Sequence, residues 1–462
     1  MTTNDLVYGL DFGTSNTSIA LAARGEGPPR LLPIDPLADP PEVLPTLVYF
    51  GQRGAELFSS VGAAAWRDLL VHGVRGEGRF LFELKAVMGL PLDGTRLQGR
   101  FVTMPELVAT VLRHVKAHAD AAAGGPVDRV VCGRPARFSD DPEVDRRAER
   151  VLDAALERAG FRERVFALEP VAADAASDLG APGVDDASAE RPPRGPTPEG
   201  ASGRAASGGP GGARAPTVTL TVDIGGGTLD VSLVRRAPGA RPEVLAVAGR
   251  PEAGRNVDRR LVYERLLEPF GRGVTLRRGE VPAWVLNKVG AWNELHLLAE
   301  DPKLLQTLAR LDPTGREPLP QALKRYFRER QGYALLREVE ARKIELAAAP
   351  AAKVRFAGGV VVLETLDRPA LAAAAAPLLA AIDRCVDEVL AAAGLEAGAI
   401  DAVERIGGTS RLAAVHEHLV ARFGPARVRG QGSLTAVAEG LAVLGRRWFL
   451  EGDRSAPVRE VA

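Results

Sequence analysis

The feature that most constrains this chain is a glycine-rich bend between two alternating apolar runs, Thr221-Val222-Asp223-Ile224-Gly225-Gly226-Gly227-Thr228-Leu229-Asp230-Val231-Ser232-Leu233. Period-two alternation on both sides reads as two strands, and the bend carries an acid at each shoulder. Successive glycines leave backbone N–H groups clear of any Cβ, so the amides can converge on an anion. Asp223 and Asp230 would repel that anion directly, but they could hold a hydrated Mg²⁺ against it. Near the N-terminus, Tyr8-Gly9-Leu10-Asp11-Phe12-Gly13-Thr14-Ser15-Asn16-Thr17-Ser18-Ile19-Ala20-Leu21 repeats the pattern, with Asp11 over Asp223, Gly13 over Gly225 and Ser15 over Gly227. A lone glycine-rich turn also fits a plain hairpin. Two in one chain predict a duplicated lobe with a phosphate cradle in each half.

The 462 residues leave room for two or three domains and a substantial core. With 59 Lys and Arg against 59 Asp and Glu, nothing favours nucleic acid or an anionic membrane as a partner, and neither is expected. Cys132 and Cys385 are too few and too far apart for a disulfide framework or a metal site. No hydrophobic run approaches a membrane span, and the first residues are polar, so a cytoplasmic protein is expected.

Between the two hairpins the pattern is strand, helix, strand, helix, from Val127 to Leu179, which is α/β grammar. Phe82 to Gly89 reads as a short helix carrying Lys85, and Thr103-Met104-Pro105-Glu106 as a capping box that opens a helix to about Ala123. Residues 181–216 turn to Gly, Pro, Ser, Ala and Arg without periodicity, the composition of a disordered insertion. Trp284 to Ala349 reads as helical, Ala370 to Ala393 as a long helix interrupted at Pro377, and Leu434 to Leu450 as a closing helix. Asp230 ranks below Asp223, being expected to face neither the glycine amides nor the core.

Taken in order, Leu10 to Asn16, Leu84 to Gly89, Ala167-Leu168-Glu169-Pro170-Val171-Ala172-Ala173, the central hairpin, Val339-Glu340-Ala341-Arg342-Lys343 and Ile406-Gly407-Gly408-Thr409-Ser410-Arg411-Leu412 form a series. That series resembles the nucleotide-binding domain of the 70-kDa heat-shock chaperones (DnaK-like), in the actin-like ATPase superfamily. The likeness runs from about Tyr8 to Leu444 and is greatest to short bacterial members. It implies an α/β, two-lobed actin-like ATPase fold of duplicated ribonuclease H-like domains with helical and mixed subdomain insertions. Residues 1–180 would form lobe I, with an insertion subdomain at about 41–104. Residues 217–450 would form lobe II, with a helical insertion at about 261–350, and 451–462 a tail. No peptide-binding domain is expected before the chain stops at Ala462.

The resemblance implies ATP or ADP in a cleft between the lobes, with its phosphates pinched by both hairpins. Gly13, Thr14, Ser15 and Asn16 would bind from one side, and Gly225, Gly226, Gly227 and Thr228 from the other. Such pre-organised donors supply most of phosphoryl-transfer catalysis. Asp11 and Asp223 would order the water shell of Mg²⁺. Lys85 matches the lysine that reaches the γ-phosphate and attacking water, and Glu169 the acid that orients that water or takes its proton. Glu340 and Lys343, three apart on a helix, would reach the ribose, although a simple helical ion pair gives the same spacing. Gly407, Gly408 and Thr409 would approach the sugar and α-phosphate, and Arg411 would stack on adenine. Ile344 and Ala347 stand where chaperones carry an arginine and a serine, which puts base selectivity in question. Pro135 matches the family's coupling proline, with Arg146 or Arg147 as its partner.

The expected activity is slow, Mg-dependent ATP hydrolysis whose lobe closure acts on an unknown protein partner, with a monomer as the simplest state. One alternative is a nucleotide-gated scaffold or filament with little turnover. Another is a small-molecule kinase of the same superfamily, for which no dedicated acid is left over.

Overall fold

Leu6–Phe12 and Asn16–Ala23 form an antiparallel hairpin in which Asp11 faces Ser18 and Phe12 faces Thr17. Thr217–Ile224 and Leu229–Arg236 form a second, in which Asp223 faces Asp230 and Ile224 faces Leu229. The two registers superpose Asp11 on Asp223 and Gly13 on Gly225, as the sequence repeat predicts. This is a computed structural model, which describes residues 3–177 and 216–460 apart from positions 26, 54–55, 73–77, 98, 136, 140, 238–239, 241, 292–294 and 434. The expected disordered insertion, 181–216, lies outside the described residues except for Pro216.

Each hairpin seeds a sheet of the same topology. In the first lobe, Arg30–Leu31, Asn16–Ala23 and Leu6–Phe12 run antiparallel in turn, then Arg129–Arg134 and Glu163–Leu168 follow parallel to Leu6–Phe12. In the second, Glu243–Arg250, Leu229–Arg236 and Thr217–Ile224 repeat the antiparallel half, and Ala402–Ile406 and Val428–Ser433 the parallel half. Parallel strands need crossover helices, which cover the sheet face and bury it. Met104–Ala123 and Pro142–Ala159 serve the first lobe, and Arg368–Ala393 and Ala413–Phe423 the second.

Local chemistry sets the helix limits. The Thr103 hydroxyl accepts the Glu106 N–H while the Glu106 carboxylate accepts the Thr103 N–H, the predicted capping box. Asp141 caps the next helix with Pro142 in its first turn, and Gly124 and Gly160 end the two helices in the left-handed conformation.

The insertion in the first lobe holds a three-stranded sheet, Glu56–Val61, Leu47–Arg53 and Arg79–Phe82, and a hairpin of Gly94–Leu97 with Arg100–Thr103. In the second lobe a helical block runs from Ala283–Leu286 to Gly332–Glu345. The two insertions meet where Phe80 lies edge-on to Tyr333 with centroids 5.4 Å apart and Trp66 does so at 6.2 Å.

Four expectations change. The helix Ala436–Gly445, assigned to lobe II by sequence order, packs on the first lobe against Glu169–Ser177 and Leu6–Phe12. Small residues allow it: a Cβ on Gly440 would fall 1.7 Å from the Ala172 carbonyl oxygen, and one on Gly9 2.1 Å from the Ala442 nitrogen. Beyond it, within the expected tail, Val458–Glu460 pairs antiparallel with Val165 to Ala167 and extends the first sheet. Pro377 does not interrupt its helix, which runs unbroken from Arg368 to Ala393, with Leu371, Ala375, Leu378, Ile382 and Val386 buried in the second lobe's core. That packing outweighs the one backbone bond that proline removes. At 26 residues this helix is also long and apolar enough to cross a membrane, against the expectation that no run is, and half of its most apolar window is buried inside the protein.

Candidate active site

The two glycine turns meet tip to tip across the lobes. A Cβ on Gly226 would lie 2.4 Å from the Ser15 hydroxyl oxygen, and one on Gly227 3.3 Å from the Thr14 methyl. Beneath the tips opens a cleft of about 350 Å³, within the range of about 300–1,000 Å³ typical of small-molecule sites. Asp11, Gly13, Thr14, Ser15, Asn16, Lys85 and Glu169 line it from the first lobe. Asp223, Gly225, Thr228, Asp230, Gly407 and Gly408 line it from the second.

Lys85 enters on the one-turn helix Leu84–Val87, anchored by buried Leu84. Glu169 opens the helix Glu169–Ser177 directly after strand Glu163–Leu168, so the strand end delivers its carboxylate into the cleft. Lys85 Nζ donates to Glu169 Oε1 at 2.7 Å, with the two side chains 9% and 14% exposed. Burial pulls the Lys85 ammonium down, but the carboxylates of Glu169 and Asp11 outweigh it and hold the group above its usual range. The acids move the other way. Burial, reinforced by Glu169, pushes Asp11 up to about 7 against the pull of Lys85. Asp223 is driven well above its usual value by burial and then by Asp230. Asp230 rises to about 6 through burial and Glu169, moderated by a hydrogen bond from Thr228.

Asp230, expected to face neither the glycine amides nor the core, lines this cleft. It pairs with Asp223 across the hairpin, and directly opposed residues share a face of the sheet. That register was available in the sequence once Ile224 and Leu229 were taken as the last pair.

Of the predicted nucleoside residues, Gly407 and Gly408 line this cleft, whereas Glu340, Lys343, Ile344, Thr409 and Arg411 do not. Thr409 is buried and donates to the Gly225 carbonyl at 2.8 Å. A Cβ on Gly254 would lie 2.3 Å from Thr409 Oγ1 and 3.4 Å from Lys343 Nζ, so three separate segments converge there. Lys343 is not paired with its helical neighbour: it forms a buried ion pair with Asp258 at 2.8 Å and donates to the Gly254 carbonyl. Glu340 and Arg411 are exposed, and Ile344 is 65% exposed, an apolar face held in solvent beside that convergence point. Pro135 lines the cleft, while Arg146 and Arg147 pair with Glu143 and Asp93 instead.

Sequence reasoning passed over Arg255. Its helix, Gly254–Arg265, starts against the second turn, with Gly254 N–H on the Gly225 carbonyl at 3.2 Å and Arg255 N–H on the Gly226 carbonyl at 2.9 Å. The side chain crosses to the first lobe, donating to Ser15 Oγ at 2.9 Å and pairing with Glu83.

Two lobes of one topology each offer a glycine turn and an acid to a shared cleft. Comparison with known sequences is specific: the family model described as Hsp70 protein matches residues 83–277 and 328–459, well over half of the chain. The chain belongs to the Hsp70 family, and with it to the actin-like ATPase fold. Among curated relatives, the chaperone protein DnaK of Thermoplasma volcanium is 25% identical over 95% of this chain and 58% of its own length. The chaperone protein DnaK of Thermotoga neapolitana is 27% identical over 59% of this chain and 38% of its own length. The chain thus spans less than two thirds of the length of either relative.

Proposed function

We propose that this protein binds and hydrolyses ATP with Mg²⁺, and that the nucleotide sets lobe closure, which acts on a protein partner in the cytoplasm. The observation that carries this reading is the buried Lys85–Glu169 pair, held at 2.7 Å between the two glycine turns. An idle scaffold has no use for such a pair, because burying two charges is costly and their attraction seldom repays it. A water-activating site does.

The donor set fits magnesium. Asp11, Asp223, Asp230 and Glu169 offer hard carboxylate oxygens in one cleft, and the three aspartates are raised by burial and by one another or Glu169, a crowding of acids that a divalent cation would relieve. Among the described residues no three His, Cys, Asp or Glu side chains converge closely enough to cage a metal directly, which suits an ion held through water by Asp11 and Asp223. When bound, the ion would neutralise charge on the phosphate chain.

The chain's own groups supply the rest. Amides of Gly13 to Ser15 and Gly226 to Thr228 bind and orient the phosphates, while the Gly225 N–H closes the turn on the Thr228 carbonyl, and closure of the tips excludes water. Glu169 accepts the proton of the attacking water, held in place by Lys85, which also meets the negative charge that develops on the terminal phosphate. Single-turnover hydrolysis of ATP by the pure protein, with Mg²⁺ and with EDTA, tests the reading. A Mg-dependent rate supports it, and no hydrolysis in either condition overturns it.

The raised carboxyls predict a pH signature. Asp11 and Asp230 bind protons more tightly in the folded state, at about 7 and about 6, than at the ordinary value of 3.8. Their stabilising contribution is complete below 3.8 and is lost as pH rises to about 7. Without ligand, the Asp11→Asn variant should therefore gain on wild type in thermal midpoint across that window, and added Mg²⁺ should narrow the gap at pH 7.5. Parallel midpoint curves from pH 4.5 to 7.5 would refute this.

A further inference from the structure

We propose that Arg255 is a ligand for the nucleotide's phosphate chain and that the Glu83 carboxylate holds the phosphate's place on it until nucleotide arrives. The proposal rests on the ATP-binding reading above and assigns one more residue to that site.

Position is the first argument. Two backbone hydrogen bonds fix the start of the Arg255 helix to Gly225 and Gly226, so the residue is registered against the second turn rather than carried on a free surface. Its guanidinium then spans both tips: Nη2 donates to Ser15 Oγ at 2.9 Å and lies 3.5 Å from where a Cβ on Gly226 would be, and Nη1 lies 3.5 Å from where one on Gly227 would be. Any phosphate pinched between these turns comes within reach of that planar fork, which matches phosphate oxygens two at a time.

Charge is the second. The cleft presents Asp11, Glu169, Asp223 and Asp230, with Lys85 committed to Glu169, Arg250 paired with Glu388, and Arg137 as a further cation on its wall. A polyphosphate with one divalent ion remains negative, and a guanidinium at the turn tips adds to the cations of the cleft wall against the repulsion from those acids. Burial lowers the Arg255 guanidinium only to about 10, so it stays charged at neutral pH.

The partner supplies the third. Glu83 binds Arg255 from a backbone with φ of 56°, a conformation that side-chain-bearing residues seldom adopt. It directly precedes the helix that carries Lys85. An anion that takes over Arg255 releases Glu83 and lets that backbone relax beside the lysine.

Opposite signs distinguish this exchange from a plain brace between lobes. Titration calorimetry with Mg²⁺ would compare ATP, ADP and adenosine on wild type, Arg255→Gln and Glu83→Gln. Arg255→Gln should weaken ATP and ADP by about ten- to a hundredfold and leave adenosine within about twofold. Glu83→Gln should tighten ATP and ADP by about threefold or more, because it removes the competing carboxylate. A brace is cut by either change, so both variants shifting the same way, or neither shifting, overturns the proposal alone. Wild type that binds no ATP overturns the underlying reading as well. Should Arg255→Gln fail to fold, Glu83→Gln decides: tighter binding supports the exchange, and any other result sinks it.

Discussion

Glu169→Gln and Lys85→Ala should each slow single-turnover ATP hydrolysis by about a hundred- to a thousandfold. The glutamine keeps the shape and the hydrogen bond to Lys85 Nζ but cannot take a proton from water, so ATP should still bind with near wild-type affinity. Removing Lys85 has a second effect. It takes the ammonium out of a pocket that retains Glu169, Asp11, Asp223 and Asp230, all of which it now offsets. The ligand-free Lys85→Ala protein should therefore melt earlier than wild type, whereas Glu169→Gln, having lost a negative charge, should not. Quenched-flow or filter assays at enzyme excess, with thermal midpoints for both variants, separate the chemical from the structural part. Hydrolysis within threefold of wild type in both would remove the proposed roles of this pair.

The largest loss of stability should follow from Gly440→Val. In the helix Ala436–Gly445 that glycine presses on Ala172, and even a single methyl would fall 1.7 Å from a carbonyl oxygen that is itself part of a helix. Neither backbone can give without parting the final helix from the helix that begins with Glu169. A cost of about 3 kcal/mol or more is expected from such overpacking. Gly9→Val attacks the same helix from the strand beneath, with its nearest contact the Ala442 nitrogen at 2.1 Å. Because both changes displace one element, their combined cost should fall short of additive. Gly398→Ala is the control, since a Cβ there meets nothing within 4 Å. Denaturant titration of the three single variants and of the Gly9→Val/Gly440→Val double variant checks this, and wild-type midpoints for Gly440→Val would show that the helix is not held so closely.

What the sequence disclosed was local. Alternation on either side of a glycine bend fixes a hairpin and its register, and doing so twice discloses the duplication that the matching strand orders of the two sheets display. Lys85 and Glu169 emerged only from their order among other motifs, because neither residue carries a local sign of burial. What stayed hidden depends on contacts between distant segments. Helical spacing sets Lys343 beside Glu340, as a ribose-binding pair or a simple ion pair, yet a carboxylate 85 positions away in sequence, Asp258, takes its ammonium. Arg255 reads as one arginine among many in a helix until the second turn and Glu83 are placed beside it. The final helix has the composition of any core helix, and only the matching small residues, Gly9 and Gly440, decide which sheet it covers.

The return of residues 436–460 to the first sheet has a consequence for biosynthesis. In topological terms the second lobe is inserted within the first, whose edge strand Val458–Glu460 leaves the ribosome after everything it must join. During synthesis the first lobe waits with its Gly9 face uncovered, while the second can close on its own contiguous residues. The half that is written first is the half that finishes last, and a stalled or truncated nascent chain would expose that surface to whatever lies nearby.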